Sequence, residues 1–415
     1  MSKMVFTLII LVASVCSRAQ EQARKLMAGT WRASVDRSDG NSIFFNFDVK
    51  DKGARSMLYI RNASEKLIVD DIKLKSDSVL IQLPFFDSEI KAAFSGNKLL
   101  TGIWIKHLKD RNQVMNFRAT YNELARFTAS NGPASVNVTG RWAVTFRGPS
   151  GKDSTPAVGE FVQKGNLVTG TFLHPTGDLR YLEGIVTGDS LKLSCFDGGH
   201  AYLFTAKIKD NHLIPGGIQF SGPVYKEIWT AERNEQAKLP DEFSLTKLKP
   251  GRSHLNFAFK DVDGRKVSIT DTRFRNKVIV IQIMGSWCPN CMDETRFLSG
   301  FYDRYHDKGF EIIGLAYERS TDFGRSQKNV RNIQKRFAVK YPLLITGVTE
   351  SDSLLTEKTL PQIEKIEGFP TTIFVNKMGE VAKIQTGFNG PATGEHYDEE
   401  QKTFASTVEQ LLSQQ

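Results

Sequence analysis

The sequence predicts an α/β layered domain over residues 255–415, preceded by an all-β region of two repeat units. Three observations predict it. Residues 278–284, Val-Ile-Val-Ile-Gln-Ile-Met, form an apolar run of buried-strand length that leads into Gly285-Ser286-Trp287-Cys288-Pro289-Asn290-Cys291 and then a helical pattern. Upstream, β-branched and aromatic runs alternate with turn signals such as Gly165-Asn166, Thr176-Gly177-Asp178 and Gly188-Asp189. Between the two halves lies a polar stretch, residues 232–254, whose Pro240 and Pro250 give it the composition of a linker.

At 415 residues the chain is long enough for two or three domains, and 40% hydrophobic with 24% charged residues is ordinary globular composition. The net charge of +9 comes from Lys and Arg spread along the sequence. Without a basic helix or an Arg stripe with interleaved aromatics, nucleic-acid binding is not indicated.

In chain order, the first element is a leader. Lys3 precedes an apolar core, residues 5–15, that is too short to span a bilayer, and Ser17-Arg18-Ala19 supplies small residues for cleavage before Gln20. Residues 1–19 are therefore expected to be a signal peptide, and the mature protein is expected in the periplasm or cell envelope. Cys16 offers a lipoprotein alternative, ranked lower because Val15 is a poor residue before a lipidated cysteine. With Cys16 gone, Cys195, Cys288 and Cys291 remain: one close pair and a lone thiol, which is not a structural disulfide framework.

The β-rich units are expected at residues 20–128 and 129–235. Gly29-Thr30-Trp31 opens the first and Gly140-Arg141-Trp142 the second, and Asp77-Ser78-Val79-Leu80 is matched by Asp189-Ser190-Leu191-Lys192. Phe86-Asp87 is echoed by Phe196-Asp197, and Phe117-Arg118-Ala119 by Trp229-Thr230-Ala231. This spacing suits small antiparallel barrels or sandwiches, closed separately or joined in one sheet. Cys195 lies in an alternating run opposite Phe85 of the first unit and reads as a small core hydrophobe. A linker over 236–254 follows.

The last domain reads as a hairpin over residues 257–269, the strand 278–284, a long helix after Cys291, and a strand at 310–316. A helix through 330–337, strands at 371–375 and 381–384, and a closing helix over 404–412 complete it. A strand running into Cys-x-x-Cys at a helix N-terminus is what thiol–disulfide exchange needs. The helix end favours a thiolate on the first cysteine, and the spacing lets the second close a small ring with it. Half of a zinc site is the alternative, but it requires two further ligands. The seven scattered histidines and the absence of a second Cys-x-x-Cys supply none, so neither metal nor cofactor is expected.

From residue 257 on, Phe257-x-Phe259-x-Asp261-x-x-Gly264, the strand into Trp287-Cys288-x-x-Cys291 and Gly368-Phe369-Pro370-Thr371-Thr372 together resemble the thioredoxin superfamily. The nearest likeness is to its TlpA/ResA-like extracytoplasmic thiol:disulfide oxidoreductases, related to the AhpC/TSA-type redoxins. The resemblance implies a central mixed sheet flanked by helices, and a cis peptide at Pro370 beside the dithiol. It also implies catalytic roles for Cys288 and Cys291 as a redox-active disulfide. Glu294 stands where these relatives carry an acidic residue; three residues after Cys291, it shares that residue's helix face and is a candidate proton acceptor. The plain alternative for Glu294 is an exposed first-turn carboxylate. Trp287, Pro289, Phe369 and Pro370 are the expected substrate contacts, with Trp287 as a core residue and Pro370 as an edge-strand proline the bland readings.

Departures from the family pattern carry information as well. Gln282 occupies the strand position that is acidic in cytoplasmic thioredoxins and cannot relay a proton, and Pro289-Asn290 differs from the usual x-Pro dipeptide. The expected function is exchange with protein thiols and disulfides, in the reducing direction. The resemblance further implies a membrane-embedded electron donor and apocytochrome c as a possible substrate. A redoxin-type thiol peroxidase would carry Thr where Gly285 stands, and a binding protein working through the β repeats is the non-enzymatic alternative.

Overall fold

Residues 25–53, 55–84, 86–129, 132–151 and 153–414 are described by a computed structural model; the expected leader with Cys16, and Phe85, lie outside the described residues. Turn-punctuated apolar alternation makes the first half two separate antiparallel sheets of nine strands each. The first runs as a meander from Gly29–Asp36 to Asn112–Tyr121, and those two strands also pair with each other. Its edge strands, Glu65–Val69 and Asp71–Leu74, are consecutive in the chain, so the sheet curls back upon itself. The second sheet closes into a ring. Strand Gly140–Arg147 pairs with both Ser154–Lys164 and Tyr225–Arg233, and Ser154–Lys164 pairs in turn with Leu167–His174. Closure leaves no long unpaired edge.

Both barrels repeat a local device. Gly29 and Gly140 take φ of +129° and +123°, and two residues on Trp31 and Trp142 donate from Nε1 to the carbonyls of Met27 and Val138, each at 2.9 Å. Trp142, Phe146, Phe172, Phe204 and Trp229 fill the second barrel together with Cys195, a free thiol that burial pushes well above its ordinary pKa. At the end of its strand Phe196 joins the core of the first barrel, stacked on Phe45 with centroids 4.0 Å apart and edge-on to Trp104. Asn62 brackets its backbone, donating to Phe196 O at 2.9 Å and accepting from Phe196 N at 3.2 Å.

The last domain contains β1 (Ala258–Asp261), β2 (Lys266–Ser268), β3 (Val278–Met284), α1 (Pro289–Tyr305), β4 (Phe310–Ala316), α2 (Phe323–Arg336), β5 (Leu343–Ile345), α3 (Leu355–Thr359), β6 (Thr371–Val375), β7 (Val381–Thr386) and α4 (Glu395–Ser413). The strands are ordered β2-β1-β5-β4-β3-β6-β7. β3 lies parallel to β4 and antiparallel to β6, which makes the sheet mixed, and every residue of β3 and β4 is buried. That burial explains the unbroken apolar runs. α4 starts at Glu395 rather than near residue 404, because its first turns are held by tertiary contacts a periodicity reading does not contain. Glu400, polar yet buried, accepts from Asn389 Nδ2 at 3.0 Å and from Gln385. The segment after Arg233 lies along this domain: Leu248 bridges to Ile363, His254 to Glu380, and Thr386 N–H donates to Glu242 O at 3.1 Å.

Candidate active site

β3 delivers the chain to the dithiol through two anchored residues. Ser286 donates from its backbone N–H and its hydroxyl to the Glu318 carboxylate at 2.8 and 2.5 Å, and Trp287 Nε1 donates to Tyr317 O at 2.8 Å. Cys288 then caps α1 in extended conformation, with Pro289 at the first helical position, where its missing N–H costs nothing. The Cys291 N–H donates to Cys288 Sγ at 3.1 Å. The two cysteines form a disulfide with Cα atoms 5.2 Å apart. Cys288 is 4% exposed and Cys291 fully buried.

Opposite the sulfurs, the Phe369–Pro370 peptide is cis, and Phe369 O lies 3.6 Å from Cys288 Sγ. In the disulfide that sulfur carries no hydrogen, so the approach is a packing contact; the reduced thiol has a proton to donate there. The Phe369 ring sits edge-on to Trp287, centroids 5.2 Å apart, and Arg319 lies over the indole at 5.4 Å. Trp287, Pro289, Phe369 and Pro370 thus lie around the dithiol.

Glu294 is not an exposed first-turn carboxylate: it is buried beneath the dithiol, between α1, β3 and β6. Gln282 Nε2 donates to its Oε2 at 2.7 Å and Thr372 Oγ1 donates to Oε1. Burial outweighs these bonds and pushes its pKa up to about 8. Gln282 also donates to Cys291 O at 3.3 Å and shares Thr295 Oγ1, which itself donates to Cys291 O at 2.7 Å. The roles of Gln282 and Thr372 in holding Glu294 were missed at the sequence level. The available signal was a lone polar residue within an otherwise apolar strand, which must find a buried partner.

The β half also reaches the site. Arg180 of the second barrel pairs with Asp293 on α1 and with Glu65 of the first barrel. Asp178 Oδ1 accepts from Gly390 N–H at 2.9 Å. Burial drives the Asp293 pKa up to about 6 against the opposing pull of Arg180. Among the described residues no cluster of three or more His, Cys, Asp or Glu could hold a metal, and no helix is long and apolar enough to cross a membrane. A Cys-x-x-Cys pair capping a helix and facing a cis-proline loop can make and break a disulfide.

Residues 249–400 match the Redoxin family model. The thiol-disulfide oxidoreductase ResA of Bacillus subtilis is 24% identical over 140 residues, covering 34% of this chain and 69% of that protein. ResA of Bacillus thuringiensis is 29% identical over 135 residues, covering 32% and 68%. Among solved structures, a thioredoxin-family thiol:disulfide interchange protein of Chlorobium tepidum is 20% identical, with a TM-score of 0.31, and aligns over 40% of this chain and all of its own. Through its C-terminal region the chain is similar to the Redoxin family and to the ResA thiol-disulfide oxidoreductases, a likeness that supports an oxidoreductase activity.

Proposed function

We propose that the protein is an exported thiol:disulfide oxidoreductase that reduces protein disulfides through Cys288-Pro289-Asn290-Cys291. The observation that carries this reading is Cys288 Sγ at the N-terminus of α1, accepting the Cys291 N–H at 3.1 Å and facing Phe369–Pro370. A sulfur so placed is favoured as thiolate, and the thiolate is the attacking form. Cys288 attacks one sulfur of the substrate disulfide and the other leaves as a thiolate. Cys291 then attacks Cys288 Sγ, which forms the intramolecular disulfide and releases the second substrate thiol. Two electrons and two protons pass from the dithiol to the substrate. Glu294, whose pKa lies at about 8, takes the Cys291 proton in the resolving step from its ionised form. Trp287, Pro289, Phe369 and Pro370 contact the substrate around the sulfur.

The leader read from residues 1–19 supports export to the cell envelope, and the family resemblance supports a membrane-embedded electron donor and apocytochrome c as one substrate. The matched glycine conformations and tryptophan bonds support reading the two barrels as copies of one unit. The reduction potential of the Cys288–Cys291 couple tests the direction of transfer. A value below about −220 mV fits a reductant fed by a dedicated donor, and one near about −120 mV makes the protein an oxidant instead.

A further inference from the structure

The buried Cys288 is at odds with a nucleophile that a substrate disulfide must reach in line. Beside the dithiol motif lies the hairpin tip Pro175–Thr176–Gly177–Asp178 of the second barrel, where strand Leu167–His174 turns back into Gly177–Asp178. Gly177 has φ of +129°, and a Cβ there would collide with the Asn290 side chain, between the two catalytic cysteines. A Cβ on Gly368, two residues before the cis proline, would collide with Thr176 Cγ2. A Cβ on Gly387 would lie 2.8 Å from Pro175 O and 3.0 Å from Thr176 C. Close packing at these three glycines therefore sets the tip against Asn290, between the two cysteines in sequence, and against the loops that carry the cis proline and Phe388.

The turn is latched at its far end. Asp178 accepts from Gly390 N–H at 2.9 Å, and Arg180 joins Asp293 of α1 to Glu65 of the first barrel. A second tie between barrel and domain runs from His396 Nε2 to Glu160 at 2.9 Å. Under the turn, Asn290 Oδ1 is buried without a hydrogen-bond partner. That carbonyl is stabilised once the turn lifts and the position becomes wet.

We propose that this turn is a resident occupant of the substrate groove, and that exchange with a protein disulfide requires its displacement by an extended, cysteine-bearing segment of the partner. The groove fits such a segment because what lies there already is a short stretch of backbone with small side chains, packed against Gly368 and Gly387. A rigid folded surface cannot enter beside it. The proposal rests on the oxidoreductase reading above and deepens it.

The test uses the full-length oxidised protein and the rate at which its Cys288–Cys291 disulfide is reduced by dithiothreitol and by a thioredoxin-sized protein dithiol. Arg180→Ala and the isosteric Asp178→Asn weaken the latch. Each is expected to raise the rate with the protein dithiol about tenfold or more, with a smaller gain for dithiothreitol, as a shifted opening equilibrium requires. Variant rates within about twofold of wild type for both reductants, in folded protein, would overturn the proposal, since an opening equilibrium must register a lost latch. A wild-type measurement removes dependence on the variants folding. Reduced Cys288 is alkylated with iodoacetamide and with a polyethylene-glycol maleimide, in buffer and in urea. The small reagent should be favoured in buffer over its advantage in urea by about tenfold or more; equal advantages refute the cap. A potential unsuited to a reductant would overturn the proposed direction of transfer and leave these rates unaffected.

Discussion

Replacing Glu294 with Gln isolates the carboxyl group beneath the dithiol. In the folded protein its pKa is driven from 4.5 to about 8, chiefly by burial, while the unfolded chain returns it to the ordinary value. Between those two values the unfolded state releases a proton that the folded state keeps, so the folded state binds more protons and stability falls as pH rises. The cost is absent below pH 4.5 and complete above about pH 8. Each pH unit across the interval costs about 1.36 kcal/mol, roughly 5 kcal/mol in all. The amide of the Glu294→Gln variant would retain a carbonyl oxygen for Thr372 and carry no titrating proton. Urea unfolding of the oxidised protein and of Glu294→Gln, at about pH 5 and about pH 9, should therefore diverge by roughly 4 kcal/mol, wild type losing the more. Asp293 and Glu242, whose pKa values burial also raises, titrate in both proteins and drop out of the difference. Parallel pH dependences for the two proteins would refute the raised pKa of the buried Glu294 on which the proposed resolving step depends.

Cys291→Ala is expected to accumulate a stable mixed disulfide between Cys288 and a protein substrate, because nothing remains to release it; non-reducing gels and mass spectrometry read this, and absence of the adduct would remove Cys288 from the attacking role. Phe196→Ala should destabilise the contact between the barrels by about 3–5 kcal/mol, the usual cost of deleting a fully buried aromatic side chain, as a lowered urea midpoint for the β half. A loss below about 1 kcal/mol would mean that Phe196 does not join the two barrels.

What was legible in the sequence is what is local. The strand 278–284, the proline at the first position of α1 and the cysteine that caps it lie within about a dozen residues, so pattern and spacing determine them. Phe369–Pro370 is remote in the chain, but it follows a recognisable motif. The closure of the second barrel was not legible, because it depends on Ser154–Lys164 pairing on both sides, a matter of register rather than alternation. Nor was the contact between Arg180 and Asp293, whose partners are 113 residues apart in the chain. In the sequence Thr176-Gly177-Asp178 is an ordinary turn, and only the fold brings Gly177 against Asn290. Glu294 falls between these cases. Its helical spacing from Cys291 was readable, but its burial comes from Gln282 on β3 and Thr372 on β6.

The site sets two ionisable groups under opposite pressures, a separation that the proposed reductant role requires. Cys288 Sγ meets the first turn of α1 and the Cys291 N–H, both of which favour negative charge. Glu294 lies about one turn beyond Cys291, where desolvation disfavours charge and holds the carboxyl mostly neutral at pH 7. Were Glu294 fully ionised in the resting state, its charge would oppose the Cys288 thiolate from below and weaken the nucleophile. Because it is mostly neutral, the field at Cys288 is that of the helix end. When Cys291 must lose its proton, the ionised form of a carboxyl with a pKa of about 8 is a base close to the ordinary thiol value, so the transfer is nearly balanced in energy. Gln282 completes the arrangement: an acid at that strand position would place a second carboxylate against Glu294 and raise both pKa values, whereas the amide donates to Glu294 and draws its pKa down toward the thiol's.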